Sequence, residues 1–323
     1  MAHQKKVLVF GSTGQDGSLL CKSLIRKDYS VIGISRYSTE VSKNHHILGI
    51  EKDLQIKVCN LIDFEKLRKI ILNENPDEIY NLAAQSSVGK SFTNPGETIE
   101  SIVTGTLNIL EACKQIKFEG KLFFAGSSEI FGNTEIAADI NYRQSPISPY
   151  GIAKQTSLNL VKMYRKLHNL KCNTGILFTH ESPLRGENFV TQKIISGAVE
   201  CYKNRNHKLQ LGNLDIYRDW GWAEEYVEAI QLMTVERNNE DHVICSGKLT
   251  SLSDFISMAF EKLNLNYKDH IIVSSEKIRK SDIYKSLGDP KPFYDQFKWK
   301  AKLTISEIID NLIEDKLKSN KIY

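Results

Sequence analysis

The chain lacks any close pairing of its six cysteines: Cys21, Cys59, Cys113, Cys172, Cys201 and Cys245 lie far apart, with no C-x-x-C and no histidine pair at metal-ligating spacing. That argues against a disulfide framework and a zinc site, so no metal is expected and the cysteines read as buried thiols. An excess of one charge is also missing. The 43 basic and 39 acidic residues leave a formal charge of +4, too small and too dispersed for a nucleic-acid binder, though compatible with a small anionic ligand. No apolar run reaches membrane-spanning length, and there is no internal repeat or low-complexity linker. The opening "MAHQKK" meets a strand almost at once, which leaves no room for a signal peptide. A cytoplasmic protein with no nucleic-acid and no membrane partner is the expectation.

What is present is a strong alternation of elements. Apolar runs of strand length, "KVLVFG", "YSVIGIS", "IKVCNL", "EIYNLAA", "KLFFAGSS" and "CNTGILF", are separated by helical segments such as "DGSLLCKSLIRKD", with Leu19, Leu20, Leu24 and Ile25 at helical spacing. Such alternation predicts an α/β fold: a Rossmann-type, doubly wound parallel sheet with helices on both faces. With 323 residues, 41% of them hydrophobic, the chain exceeds one typical domain. We expect a nucleotide-binding domain over residues 1–180 and a smaller mixed C-terminal lobe over 181–323, with some return crossing to the sheet. The Lys- and Asn-rich tail "EDKLKSNKIY" reads as a frayed end.

Directly after the first strand stand Gly11, Gly14 and Gly17, spaced three apart, where a tight turn lets a pyrophosphate approach backbone N–H groups at a helix N-terminus. The second strand ends in "ISRYS", which offers Arg36 where an NAD-binding chain carries an acidic residue. Arginine there suits a 2′-phosphate, so bound NADP(H) is expected rather than NAD. Further on, "SPYGIAK" sets Tyr150 and Lys154 four residues apart on one helix face. A lysine ammonium near a phenol lowers its pKa, so that the phenolate can take a proton from a hydroxyl.

These features, together with "GSTGQDGS", "YNLAAQSSVGKSF", "SSEIFG", "LFTHESPLRGENFVTQKI", "GNLDIYRDWGWAEEYVEAI" and "LGDP", make the sequence similar to the extended short-chain dehydrogenase/reductase family over nearly its whole length. The branch it resembles is that of the GDP-mannose 4,6-dehydratases. The resemblance implies that Ser127 hydrogen-bonds the sugar 4-hydroxyl, Tyr150 is the base, Lys154 binds the nicotinamide ribose and Glu129 is the dehydratase carboxylate. It implies cofactor contacts from Thr13, Gln15 and Asp16 in the glycine turn, from Asn60 and Leu61, from Leu82, Ala83 and Ala84, and from His180 and Arg185. A 4-keto sugar acidifies the C5 proton, so a carboxylate beside C5 and C6 can remove it and help expel the C6 hydroxyl as water.

For the substrate, the resemblance implies Ser86, Ser128 and Thr179 near the sugar, with Asn188, Val190, Leu211 and Gly212 toward the nucleotide. Lys193, Arg218 and Arg279 would clamp the diphosphate, with Asp282 beside them. Thr179, Leu184, Ser87 and Gln192 depart from the family wording, which has Asn, Arg, His and Arg at those places. A less polar pocket suits an N-acetyl group, and the motif wording is also similar to that of the GDP-N-acetylglucosamine 4,6-dehydratases. The expected reaction is therefore 4,6-dehydration of GDP-N-acetylglucosamine, with GDP-mannose or a GDP-manno-heptose as the alternative sugars. A GDP-sugar C4 dehydrogenase or epimerase with Glu129 idle, and a non-catalytic cofactor-sensing scaffold, are the competing readings. The resemblance further implies a homodimer or homotetramer.

Overall fold

The computed structural model describes residues 4–37, 42–274 and 281–319. Strands β1 (Lys6–Phe10), β2 (Ser30–Ser35), β3 (Gln55–Val58), β4 (Glu78–Asn81), β5 (Lys121–Ala125) and β6 (Cys172–Leu177) alternate with helices α1 (Gln15–Arg26), α2 (Lys43–Leu48), α3 (Phe64–Glu74), α4 (Val88–Thr93), α5 (Pro95–Ile99), α6 (Gly105–Gln115) and α7 (Pro149–His168). After them come β7 (Thr179–Glu181), α8 (Val190–Lys203), β8 (Leu209–Leu211), β9 (Tyr217–Trp222), α9 (Ala223–Val235) and β10 (His242–Ile244). The chain closes with β11 (Leu249–Ser251), α10 (Leu252–Glu261), β12 (Ile271–Val273), β13 (Lys285–Ser286), α11 (Lys291–Phe297) and α12 (Ile305–Ser319).

Seven strands form one all-parallel sheet in the order β10-β6-β5-β4-β1-β2-β3. Its two faces follow from the period-two geometry of a strand. In β1, Val7 and Val9 pack with Leu20 and Leu24 of α1 and with Tyr226, Ile230 and Met233 of α9. Leu8 and Phe10 face the other way, onto Leu67 of α3, Ile109 and Leu110 of α6 and Val161 of α7. Continuous apolar strands are what a sheet covered on both sides requires.

The edge strand β10 arrives from the second half of the chain and pairs with β6. Its place is held by Asp241, which accepts hydrogen bonds from Arg165 at 2.6 Å and from the Thr174 amide at 2.7 Å. The remaining strands build two small sheets over the carboxyl ends of the main one: β11-β9-β13 with β7 beside β9, and β12-β8.

One expectation is corrected here. Residues 314–319 of the supposed frayed tail form the last turns of α12, because Ile309, Ile313 and Leu317 fall four apart and pack against the apolar cluster of α8 and α10. All six cysteines are buried and unpaired, and burial pushes the Cys172 thiol up to about 12. Among the described residues no helix is long and apolar enough to cross a membrane.

Candidate active site

A cleft of about 980 Å³ opens at the carboxyl ends of the parallel strands, between the main sheet and the small ones. Crevices of this kind hold ligands in doubly wound folds. Each site residue expected from the sequence lines it, apart from Arg279, which lies outside the described residues.

At one end the glycine turn forms a cradle. Gly11 has φ +81°, and a Cβ there would stand 2.7 Å from the Ala83 amide nitrogen. At Gly17 a Cβ would come within 2.1 Å of the Gly11 carbonyl oxygen. Only glycine lets β1, the loop after β4 and the start of α1 approach so closely. Gly14 is the N-cap of α1 and offers no side-chain cap, so the first amides of the helix are left to meet an anion, aided by the helix dipole. These residues fit the pyrophosphate of a dinucleotide. Thr13, Asn60, Leu61, Leu82, Ala83 and Ala84 continue this wall, and Arg36 stands exposed at its far end with its guanidinium 5.0 Å from the Tyr37 ring centre.

A charged pair closes the cradle toward β7. The Asp16 carboxylate accepts from His180 Nε2 at 2.9 Å, while His180 Nδ1 lies 2.6 Å from the Phe178 carbonyl and the ring stacks on Tyr226. Burial works against both charges, yet each partner favours the other: Asp16 lies below its ordinary value and His180 above. Gln15 Nε2 and Arg185 Nη1 both donate to the His180 carbonyl, at 3.2 Å and 2.8 Å, so the turn and β7 are tied together.

In the middle of the cleft lie Ser127, Ser128, Glu129, Tyr150 and Lys154. Ser127 ends the extended stretch after β5, and Ser128–Ile130 form one turn of 3-10 helix that carries Glu129. Helix α7 starts with Pro149 at its first position and Ser148 as N-cap, whose hydroxyl accepts from the Gly151 amide at 3.0 Å. The same hydroxyl donates to Glu129 Oε2 at 3.5 Å. Ser148 was not anticipated from the sequence, although a Ser before Pro is a legible helix start. Tyr150 follows in the first turn, bonded to the Ser127 side chain.

The structure corrects the reading that Lys154 lowers the phenol's pKa. Its ammonium donates to the Ala125 carbonyl at 2.6 Å and sits 5.8 Å from the Tyr150 ring centre. Burial pushes Tyr150 up to about 12, with the Ser127 bond pulling the other way, and pushes Lys154 down to about 8.

The residues expected toward the nucleotide line the same cleft. Val190 opens α8 after an N-cap, Phe189, without a side-chain cap, and the Arg185 guanidinium covers the Phe189 ring at 4.1 Å. Lys193 is exposed one turn on, Leu211 ends β8 with Gly212 directly after it, and Asn188 and Ser86 border the opening. Arg218 on β9 is paired with Asp282 at 3.1 Å, so two of the expected residues hold each other. Glu181, missed from the sequence, is buried beside Arg185 at 3.3 Å and accepts from Thr191 at 2.8 Å.

The chain matches the family model described as GDP-mannose 4,6 dehydratase over residues 8–312. The chain belongs to that family. GDP-mannose 4,6 dehydratase 1 of Arabidopsis thaliana is 35% identical over 329 residues, covering 98% of this chain and 91% of the relative. The Homo sapiens GDP-mannose 4,6 dehydratase is also 35% identical, covering 95% and 90%. Among solved structures, dTDP-glucose 4,6-dehydratase from Bacillus anthracis in complex with NAD superposes with a TM-score of 0.85 at 18% identity, covering 99% and 98%. UDP-glucose 4-epimerase from Thermotoga maritima with UDP-glucose gives 0.86 at 23% identity, covering 98% and 99%. At these identities the two structures share the fold.

Within the GDP-mannose 4,6 dehydratase family wording, the four departures now have places. Thr179 and Leu184 both line the cleft, Leu184 buried. Ser87 caps α4 through the Lys90 amide, and Gln192 is buried and donates to the Ser182 carbonyl.

Proposed function

We propose that this chain catalyses the 4,6-dehydration of a GDP-sugar to the GDP-4-keto-6-deoxy-sugar. The observation that carries the reading is the Glu129 carboxylate beside the Tyr150–Ser127 pair, in a cleft whose other end is a dinucleotide cradle. A nicotinamide dinucleotide held by the Gly11–Gly17 turn would supply the hydride chemistry, an exchange between C4 and C6 of the sugar. Tyr150 accepts the C4 hydroxyl proton, and the Ser127 hydroxyl bond favours the phenolate over the phenol. Glu129 removes the C5 proton and delivers one to the departing C6 hydroxyl. Its Ser148 bond aims the carboxylate.

Arg36 supports NADP(H) as the cofactor, because a guanidinium at the end of β2 complements a 2′-phosphate. Lys193 and the Arg218–Asp282 pair, with Arg279, are the proposed diphosphate side. A homodimer or homotetramer in the cytoplasm remains the assembly and setting we propose.

For the sugar, the names of the relatives support GDP-mannose, and none supports the N-acetylglucosamine expectation. One observation favours GDP-N-acetylglucosamine as a second reading: Thr179 and Leu184 make the cleft wall less polar than the family wording does. The test is to incubate the protein with each GDP-sugar and weigh the products. Loss of one water supports dehydration, whereas a product of unchanged mass means epimerisation. The ratio of kcat/KM for the two sugars then decides between them.

A further inference from the structure

Helix α2 plays no part in the glycine pattern, yet two of its side chains end on the glycine turn. Asn44 Nδ2 donates to the Thr13 carbonyl at 3.1 Å, and His45 Nε2 lies 2.8 Å from the Ser12 carbonyl oxygen. His45 and Ser12 are both fully buried. On the other side of the ring, Nδ1 stands 3.1 Å from the Ser42 backbone nitrogen. A backbone N–H can only donate and a carbonyl can only accept, so Nδ1 is bare and Nε2 carries the proton. The neutral tautomer is thus selected by two main-chain groups, and burial also holds His45 below its ordinary value. The Ser12 carbonyl takes a second hydrogen bond from Ser18 Oγ at 2.9 Å, which uses both of its lone pairs.

We propose that His45 is a positioning residue for the cofactor: by holding the Ser12 carbonyl it fixes the peptide planes of the Gly11–Gly14 turn, and so sets the affinity for the dinucleotide pyrophosphate. The inference rests on the reading that this cleft takes a nicotinamide dinucleotide. A buried histidine that merely filled space would be replaceable by an apolar side chain of similar size. One that aims the turn would be replaceable only by a side chain able to donate at the Nε2 position.

The experiment titrates NADPH, and separately GDP, into the wild-type chain and three variants, following bound nucleotide by calorimetry. His45→Leu removes both ring bonds. His45→Asn keeps an acceptor near Ser42 but cannot reach Ser12, and His45→Gln places an amide N–H near the Nε2 position. Loss of one buried hydrogen bond gives about a tenfold weakening of NADPH for the Leu and Asn variants. GDP affinity stays unchanged, and His45→Gln recovers most of the NADPH affinity. The proposal is overturned if the Leu or Asn variant binds NADPH like wild type, if NADPH and GDP weaken together, or if His45→Gln is no better than His45→Asn. A wild-type chain that takes GDP but no NADPH overturns the cofactor reading, and this inference with it.

Discussion

The Cβ that Gly151 lacks would stand 2.8 Å from the Glu129 carbonyl oxygen and 3.0 Å from the Pro146 Cβ. The helix bearing Tyr150 is therefore pressed against the turn bearing Glu129, and the Ser148 hydroxyl links the two at their side chains. The relative placement of Tyr150 and Glu129 depends on this contact.

Gly151→Ala forces the start of α7 away from the Glu129 turn, since a main-chain oxygen cannot move aside as a flexible side chain can. The expected cost is about 1–3 kcal/mol of stability, as for other overpacked sites. Turnover should fall further than NADPH affinity, because the cradle lies at the other end of the cleft. A thermal melt, an NADPH titration and kcat on the same variant check this; an unchanged kcat would show that the contact does not align the two residues.

Glu129→Gln keeps the shape of the site and removes the base. Dehydration should fall by about two to four powers of ten, the usual worth of a general acid–base group, while reduction of cofactor by the sugar at C4 stays measurable. Tyr150→Phe should abolish both half-reactions. Stopped-flow absorbance of the nicotinamide separates the two steps, and full dehydration by the Gln variant would remove Glu129 from the mechanism.

Arg36→Ala should weaken NADPH more than NADH, because only NADPH carries the 2′-phosphate that the guanidinium would meet. Parallel titrations with the two cofactors read the difference directly. Equal loss for both returns Arg36 to an ordinary surface role.

The Asp16–His180 pair makes stability depend on pH in a defined sense. His180 lies above its ordinary 6.5 in the folded chain, so its contribution is complete below 6.5 and is lost as pH rises through the higher folded value. Asp16 lies below its ordinary 3.8, so its share is complete above 3.8 and is lost as pH falls through the lower folded value. Between those limits the pair stabilises fully. Melting temperatures measured from pH 6.5 upward, through the raised folded value of His180, should show an alkaline decline that Asp16→Asn flattens, and an identical decline in the variant would assign it to another group.

Local pattern in the sequence determined the six leading strands and the helix after the glycine turn, because strand and helix periods state which side of each element is apolar. Short spacings also picked out Gly11, Gly14 and Gly17 within one turn and Tyr150 with Lys154 along one helix face, while Ser127 and Glu129 came from the family resemblance of "SSEIFG". Tertiary structure alone decided the rest. The passage of β10 to the sheet edge, the Ser148–Glu129 link, the Arg218–Asp282 pair and the seat of His45 under Ser12 join residues far apart in the chain. No periodicity records such partners: each contact exists only once the folded backbone has closed the loop between them. The same holds for the Tyr150 phenol. Its neighbour Lys154 is visible in the motif, but the burial that pushes the phenol up to about 12, and the Ala125 carbonyl that accepts the lysine's hydrogen bond, belong to the packed molecule.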